Sequence, residues 1–239
     1  MDTPKHIAIA NHSSLVNDSA IAFWVEAARR QMLEHIAPCW GIAPPGIGFY
    51  GTMDKLPANQ SAIVGIADDD GNAESAGYHT AIGGLVYGTV DVAQSRVPSQ
   101  TMDHEIIELT INPALDRKVA GPKGRLYYVE IADPVQARQY DLEIEILGVR
   151  SKVALSDFVL PAWYGLPNPA GVDPSRTTFL SGHLGTDDDL EPFEIAAGGY
   201  QIAEEGDGEV LFLNAGQFRM NRSSHGRTRR ILNRKFPVA

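Results

Sequence analysis

The most informative segment of the sequence is His104-Glu105-Ile106-Ile107-Glu108-Leu109-Thr110-Ile111-Asn112. On a helix at about 100° per residue, with His104 at zero, Glu108 falls near about 40°, Asn112 near about 80° and Glu105 near about 100°. The three isoleucines and Leu109 occupy much of the opposite arc. The spacing therefore predicts a helix with one apolar face for the core and one narrow polar face.

The polar face carries the residue types of a metal site. His104 and Glu108 are four residues apart, so their side chains can converge on one ion, and Glu105 lies beside them within reach of a water. Two ligands one turn apart and a neighbouring general base are typical of His-Glu-x-x-His metallopeptidases. Here Glu108 replaces the second histidine, and a carboxylate can also ligate Zn²⁺. Its added charge widens the choice of metal towards Mn²⁺ or Ca²⁺.

A zinc site needs a third protein ligand, and the best source is the segment Tyr127-Tyr128-Val129-Glu130-Ile131-Ala132-Asp133-Pro134. Either Glu130 or Asp133 could bind the metal, while the other orients the imidazole of His104. Residues three apart point to opposite faces of a straight strand, so only a bend before Pro134 would let both take part. A solvated acidic helix face is the alternative interpretation of the whole motif.

The flanking sequence predicts an α+β fold with a mixed sheet, an N-terminal helix and a central motif helix. The N-terminal helix begins at the caps Asn17, Asp18 and Ser19 and is expected to stop at Pro38. Strands are predicted over residues 6–11, 61–67, 85–93, 125–132, 140–147, 153–160 and 210–213. We expect one domain over residues 1–218, with long Gly- and Pro-rich loops at 161–191, and a basic tail at 219–239.

Composition limits the protein's class. The chain has 239 residues, 44% of them hydrophobic, which excludes bulk disorder. A lone Cys39 excludes a Cys-rich zinc site. Neither a membrane span nor a signal peptide is predicted, so we expect a soluble protein that is cytoplasmic or associated with a virion.

The charge is unevenly distributed. The net charge is −10, yet residues 219–235 carry seven basic side chains and no acid. The acidic body argues against binding of nucleic acid there. The tail is expected to mediate self-association or to contact an acidic partner, with nucleic acid as a weaker alternative.

Other polar residues allow two interpretations each. Tyr200, after Gly198-Gly199, could stabilise an oxyanion as a catalytic residue, or it could be a core tyrosine beside a tight turn. His79, predicted in a glycine-flanked loop, and His183 could reach the site, or they could be hydrogen-bonded in place. The runs Asp68-Asp69-Asp70 and Asp187-Asp188-Asp189 lack the spacing of an EF-hand loop and are predicted to be solvated turns.

Several segments together resemble a family of phage-encoded and bacterial proteins described as zincin-like metallopeptidases with an HExxE motif. The matching segments keep a consistent order along the chain: Arg30-Gln31, Ala37 to Gly41, Ala76 to His79, His104 to Leu109, Asn112-Pro113, Glu130 to Val135, Ser156 to Trp163 and Ala197 to Tyr200. The family commonly has Asp before the proline where this chain has Asn112, so position 112 is not expected to be a charged ligand.

The resemblance implies a zincin-like core whose edge strand precedes the motif helix. Residues 85–93 would be that edge strand, and a peptide or protein substrate would pair with it across the metal. The expected function is a metal-dependent peptidase, a hydrolase in which Glu105 removes a proton from water. The alternative is a non-catalytic phage structural or assembly protein that keeps the fold, with or without the metal. The missing second histidine, the long loops and the basic tail favour that alternative.

Overall fold

The computed structural model describes residues 3–56, 61–69, 75–82, 85–183 and 190–215. Helix makes up 27% and strand 32% of the described residues, which confirms the α+β class. The chain divides into two compact units, Met1–Ala114 with Gln139–Ser156 and Leu115–Arg138 with Asp157–Ala239. A single domain over residues 1–218 stays a prediction.

The described residues form eleven strands and four α-helices, numbered in chain order. The strands are β1 His6–Asn11, β2 Gly46–Phe49, β3 Ala62–Ala67, β4 Gly77–Ile82, β5 Leu85–Asp91, β6 Lys118–Ala120, β7 Leu126–Tyr128, β8 Gln139–Ile146, β9 Val149–Ser156, β10 Tyr200–Glu204 and β11 Val210–Asn214. The helices are α1 Asp18–Gln31, α2 Ala37–Trp40, α3 Pro98–Ile111 and α4 Phe179–His183. Short 3₁₀ turns lie at Met53–Lys55, Pro122–Gly124, Asp133–Val135 and Pro161–Tyr164.

The first unit contains a five-stranded mixed sheet in the order β2-β1-β3-β5-β4. The pairs β1–β2, β1–β3 and β3–β5 are parallel, and β4 runs antiparallel to β5. Strands β1 and β3 are almost wholly buried because their residues are apolar on both faces, as in a sheet covered on both sides. The mixed sheet, the N-terminal helix and the central helix that the sequence predicts are all present.

The predicted position of the edge strand is wrong. Strand β5 pairs with β3 on one side and with β4 on the other, so it lies inside the sheet. Strand β4 lies at that edge of the sheet instead. Strand β4 is absent from the sequence-based prediction because the glycines that flank Tyr78 and His79 favour a loop, and without β4 the strand β5 has no outer neighbour.

The N-terminal helix begins as predicted but ends later. The Asn17 side chain accepts a hydrogen bond from the Ala20 amide at 2.9 Å and so caps α1. The helix continues through a π-helical turn, Met32–Ile36, into α2, which ends at Gly41 with a φ of 62°. Pro38 is tolerated because it lies in the first turn of α2, where the wider π-helical turn before it changes the backbone pairing.

A β-hairpin of β8 and β9 packs against α1 in the same unit. The buried side chains of this contact are apolar: Ala27, Ile144, Val153 and Leu155. The partly buried Phe23, Trp24 and Tyr140 pack around them. The alternating pattern of β8 therefore supports α1 with one face and exposes acids on the other.

The second unit contains an antiparallel sheet in the order β11-β10-β7-β6. Aromatic rings pack beside it: Trp163 lies 5.4 Å from Phe193 and 4.8 Å from Tyr164 between ring centroids. The predicted strand over 125–132 is shorter in the structure because pairing stops at Tyr128, before the turn at Asp133. The region 161–191 is mostly loop as predicted, with one 3₁₀ turn and α4 within its described part.

Candidate metal centre

Helix α3 carries the motif and is held on several sides within the first unit. It contacts β3, β4 and β5 of the sheet, and α1 and β9. Ser99 donates a hydrogen bond from Oγ to the Ala154 carbonyl at 2.9 Å, and the Ser156 amide donates to Asp103 Oδ2 at 2.8 Å. Pro98 at the first turn starts the helix, and Pro113 ends it by disfavouring helical geometry at Asn112. The motif therefore lies on a fixed helix.

The polar face of α3 is buried, although the sequence alone would also allow it to be solvated. Glu105 is 4% exposed and Glu108 is 3% exposed, while the side chain of His104 is 12% exposed. Moving carboxylates out of water is costly unless protons, hydrogen bonds or cations compensate. The chemistry of this polar face therefore depends on the partners of His104, Glu105 and Glu108.

His104 and Glu108 converge as the four-residue spacing predicts. Nε2 of His104 lies 3.3 Å from Oε1 of Glu108. Two ligands held at 2.0–2.1 Å by one tetrahedral zinc ion would be roughly 3.3 Å apart. The side-chain separation therefore fits two ligands of one ion.

His79 also faces the motif helix, from the middle of β4. Its Nδ1 lies 3.4 Å from Oε2 of Glu105 and 3.8 Å from Oε2 of Glu108. The side chain is 1% exposed. The sequence alone could have placed His79 in a strand, since Tyr78, Thr80 and Ile82 favour strands. Its pairing with the motif helix depends on the β4–β5 register and was not predictable from local sequence.

The other ring nitrogen of His79 defines its orientation. Nε2 lies 3.4 Å from the carbonyl oxygen of Asn112, and a carbonyl can only accept, so Nε2 carries the proton. In the neutral ring, Nδ1 then presents a lone pair towards Glu105 and Glu108. A lone pair facing two carboxylates is favourable only with a second proton on the ring or a cation between the groups.

Glu105 differs from Glu108 in its surroundings. Among the described residues, no hydrogen-bond donor meets its buried Oε2, and its ion-pair partner is His79. Its carboxylate fits against β4 because residue 77 is glycine: a Cβ there would lie 2.7 Å from Oε1 of Glu105. The carboxylate thus occupies a fixed position with lone pairs still available.

Histidine and acidic groups in this part of the chain lie close enough together to bind a metal ion. His79 and Glu108 offer ligand atoms within 4.8 Å of each other, and so do His104 and Glu108. Glu105 belongs to neither group in the part of the chain that the structure describes. The arrangement therefore separates ligand candidates from one neighbouring carboxylate.

Asp103 adds a further buried acid on the hairpin side of α3. Burial raises the pKa of its carboxyl to about 7, and the hydrogen bond from the Ser156 amide opposes that rise. The Gln31 side chain binds the Ser156 carbonyl at 2.9 Å and so joins α1 to the same strand. Asp103 therefore has a structural role in fixing α3.

The remaining predicted site residues belong to the second unit. Glu130 follows β7 and is 2% exposed, and Asp133 begins a 3₁₀ turn and is 1% exposed. Tyr200 begins β10, where its ring lies 5.7 Å from that of Phe212. Gly199 lies against the Pro134 carbonyl, so Tyr200 and Asp133 are neighbours within this unit. Their roles as third ligand and oxyanion donor stay predictions.

Other candidates have different outcomes. Asp68 binds the loop after β1 by accepting hydrogen bonds from Ser14 and Leu15. His183 is the last residue of α4. Its side chain, Asp70, the run 187–189 and the basic tail at 219–239 lie outside the described residues. The predicted roles of the tail stay predictions.

Comparisons with protein-family profiles, with curated proteins and with solved structures give no match. The resemblance to zincin-like metallopeptidases therefore stays a prediction from the sequence. In the described residues, no helix combines the length and the apolar character needed to cross a membrane.

Proposed function

We propose that this protein binds divalent metal at a cluster formed by His79, His104 and Glu108 and hydrolyses peptide bonds with Glu105 as the proton acceptor. One observation carries the proposal: two imidazoles and two carboxylates lie together with little exposure to solvent, and one nitrogen of His79 faces both acids. Bound divalent metal would compensate the buried carboxylates, whereas a purely structural cluster would require additional protons.

The ligand set fits a zinc ion or a related divalent ion. Imidazole nitrogens and a carboxylate oxygen suit Zn²⁺, and a carboxylate-rich set also suits Mn²⁺. The Asn112 carbonyl fixes the tautomer of His79 so that Nδ1 is the ligand atom. Such an ion, when bound, would polarise a carbonyl and lower the pKa of water.

The chain's own residues supply the rest of the proposed chemistry. Glu105 holds a buried carboxylate oxygen next to His79, where it can take a proton from water and pass it to a leaving amine. Gly77 keeps the space that this carboxylate needs. The sequence-based assignment of Glu105 as general base thus agrees with a carboxylate outside the ligand groups.

The proposed substrate site is β4 and not residues 85–93. An extended peptide adds to a strand at the edge of a sheet, and β4 occupies that position. It also carries His79, so a peptide paired along β4 would pass close to a proposed ligand. Peptide backbone would supply the hydrogen bonds that an edge strand offers.

A second candidate function is metal binding without turnover. The low exposure of His79, Glu105 and Glu108 favours it, since a substrate must reach the ion for hydrolysis. Such a protein would use the ion to stabilise the fold of an assembly component. The two candidates share the metal and differ only in activity.

The test combines elemental analysis with a peptidase assay on the full chain. We expect purified protein to contain bound Zn²⁺ or Mn²⁺ and to cleave an unfolded protein substrate until a chelator is added. His104→Asn should bind less metal than the wild type and lose activity, whereas His12→Asn, at an exposed position, should keep both. Protein without bound metal, even after dialysis against Zn²⁺ or Mn²⁺, would overturn the proposal. Metal without cleavage would select the second candidate.

The predicted third ligand is tested in the same way. We expect either Glu130→Gln or Asp133→Asn to weaken metal binding by about 10–100-fold, as loss of a supporting group does elsewhere. Glu191→Gln, an exposed acid of the same unit, is the matched control. Full affinity in both variants would remove Glu130 and Asp133 from the ligand set.

A further inference from the structure

We infer that Glu108 is a bridging ligand between two cation positions, one at His104 and one at His79. The inference rests on the proposed metal binding and goes beyond it, because it changes the number of ions and the role of Glu108. Its basis is the way the two oxygens of one carboxylate face different imidazoles.

The two oxygens of Glu108 have separate partners. Oε1 lies 3.3 Å from Nε2 of His104, and Oε2 lies 3.8 Å from Nδ1 of His79. Each distance falls in the range for two ligands of one ion, given metal–ligand bonds of roughly 2.0–2.4 Å. Each oxygen of Glu108 therefore forms a nitrogen–oxygen pair with a different histidine.

The two histidines fall into different candidate groups. In the described residues, each group keeps its ligand atoms within 4.8 Å of one another, and Glu108 belongs to both groups. Neither group holds both His79 and His104. A single ion chelated by both oxygens of Glu108 would require the two imidazoles to join one group. Two positions that share one carboxylate fit the arrangement better.

The burial of Glu105 supports a cation position next to it, in addition to the one at His104. Glu105 and Glu108 are both buried, and Oε2 of Glu105 meets no hydrogen-bond donor among the described residues. One divalent ion at His104 would lie beside Oε1 of Glu108, whereas His79 faces Oε2 of Glu108 and Oε2 of Glu105. A second ion at His79 would place positive charge beside Glu105 as well.

Two adjacent cations would define the type of chemistry. In two-metal centres, ions roughly 3.5–4 Å apart clamp the attacking and leaving groups of a hydrolysis. Bridging carboxylates are what hold such ions at that separation. The inference therefore places this protein among hydrolases with a paired metal centre and sets it apart from those with a single zinc.

The experiment is a titration of chelator-treated full-length protein with Mn²⁺ alone. Bound Mn²⁺ is counted after equilibrium dialysis, and its electron paramagnetic resonance spectrum is recorded at saturation. We expect two Mn²⁺ per chain and the spectrum of a spin-coupled pair. His79→Asn and His104→Asn should each bind one Mn²⁺ with an uncoupled six-line spectrum, while His12→Asn should bind two.

The outcomes separate the inference from the proposal on which it rests. One Mn²⁺ per chain, uncoupled at saturation, would overturn the bridge and leave metal binding intact. Two uncoupled ions would also overturn the bridge, since one would be bound elsewhere. No bound Mn²⁺ and no bound Zn²⁺ would overturn both. If a histidine variant fails to fold by circular dichroism, the wild-type spectrum still decides.

Discussion

Asp68 and Glu105 are acids of the same unit in opposite surroundings. Asp68 accepts hydrogen bonds from the Ser14 amide at 2.9 Å, the Ser14 hydroxyl at 2.6 Å and the Leu15 amide at 3.2 Å. The Ser13 hydroxyl donates to it as well. These donors hold the pKa of Asp68 below its usual range, with the Ser13 hydroxyl as the largest cause.

Glu105 is more deeply buried, yet among the described residues its Oε2 has no donor. The difference shows how two acids can serve two purposes. The Asp68 carboxylate accepts hydrogen bonds on both oxygens and ties the loop after β1 to the end of β3, so it has no capacity left for a ligand. A carboxylate buried without donors keeps its lone pairs for a proton or a cation.

The largest expected effects come from exchanging the two acids for their amides. Glu105→Gln should lower peptide hydrolysis by about 10²–10⁴-fold, the usual contribution of a general base, while metal content is retained. Asp68→Asn should leave hydrolysis unchanged and lower the midpoint of thermal unfolding, because an amide nitrogen cannot accept from Ser14. Peptidase assays, elemental analysis and thermal unfolding measure these effects.

Asp141→Asn, at an exposed position of β8, serves as the control for both variants. The comparison would be wrong if Glu105→Gln unfolded the protein while Asp68→Asn changed neither its stability nor its activity. The structural role would then belong to Glu105 and not to Asp68.

A smaller effect tests whether hydrogen-bond donors or burial dominates the pKa of an acid that has both. Asp157 accepts hydrogen bonds from the Phe158 and Leu180 amides, yet burial raises the pKa of its carboxyl to about 7. The folded state therefore keeps a proton that the unfolded state releases near pH 4. The free energy of unfolding should fall as pH rises from about 4 to about 7, by on the order of a few kcal/mol.

Asp157→Asn cannot ionise and keeps an oxygen for both amides, so it should lack this fall. Chemical denaturation of both proteins at pH 5 and pH 8 gives the measurement. A wild-type protein that gains stability over this interval, relative to the variant, would show that the donors dominate.

The smallest effect concerns an exposed pair. Arg29 Nη1 lies 3.0 Å from Glu26 Oε2 on α1, and both side chains are about half exposed. Solvent screens such a pair, so Glu26→Gln should change the free energy of unfolding by only about 0.2–0.5 kcal/mol. A double-mutant cycle with Arg29→Gln measures the coupling. A coupling above about 1 kcal/mol would show that an exposed ion pair on α1 contributes more to the free energy of unfolding than solvent screening predicts.

Much of the local structure could be predicted from sequence. Strand β1 has its predicted bounds, α1 begins at the predicted cap, and α3 follows from the apolar period of its isoleucines. These features depend on neighbours within a few residues. The end of the first helix could not be predicted, because the π-helical turn before Pro38 overrides the usual effect of proline.

The spacing of His104 and Glu108 is enough to predict that they share one face of a helix, because residues four apart in an α-helix are neighbours whatever surrounds them. The burial of this face and its contact with His79 depend on the fold of the whole unit. The β4–β5 register pairs His79 with Gly88, and a Cβ at Gly88 would lie 3.7 Å from Cβ of Glu105. A contact made through strand pairing depends on residues far apart in the chain, and no local pattern encodes it.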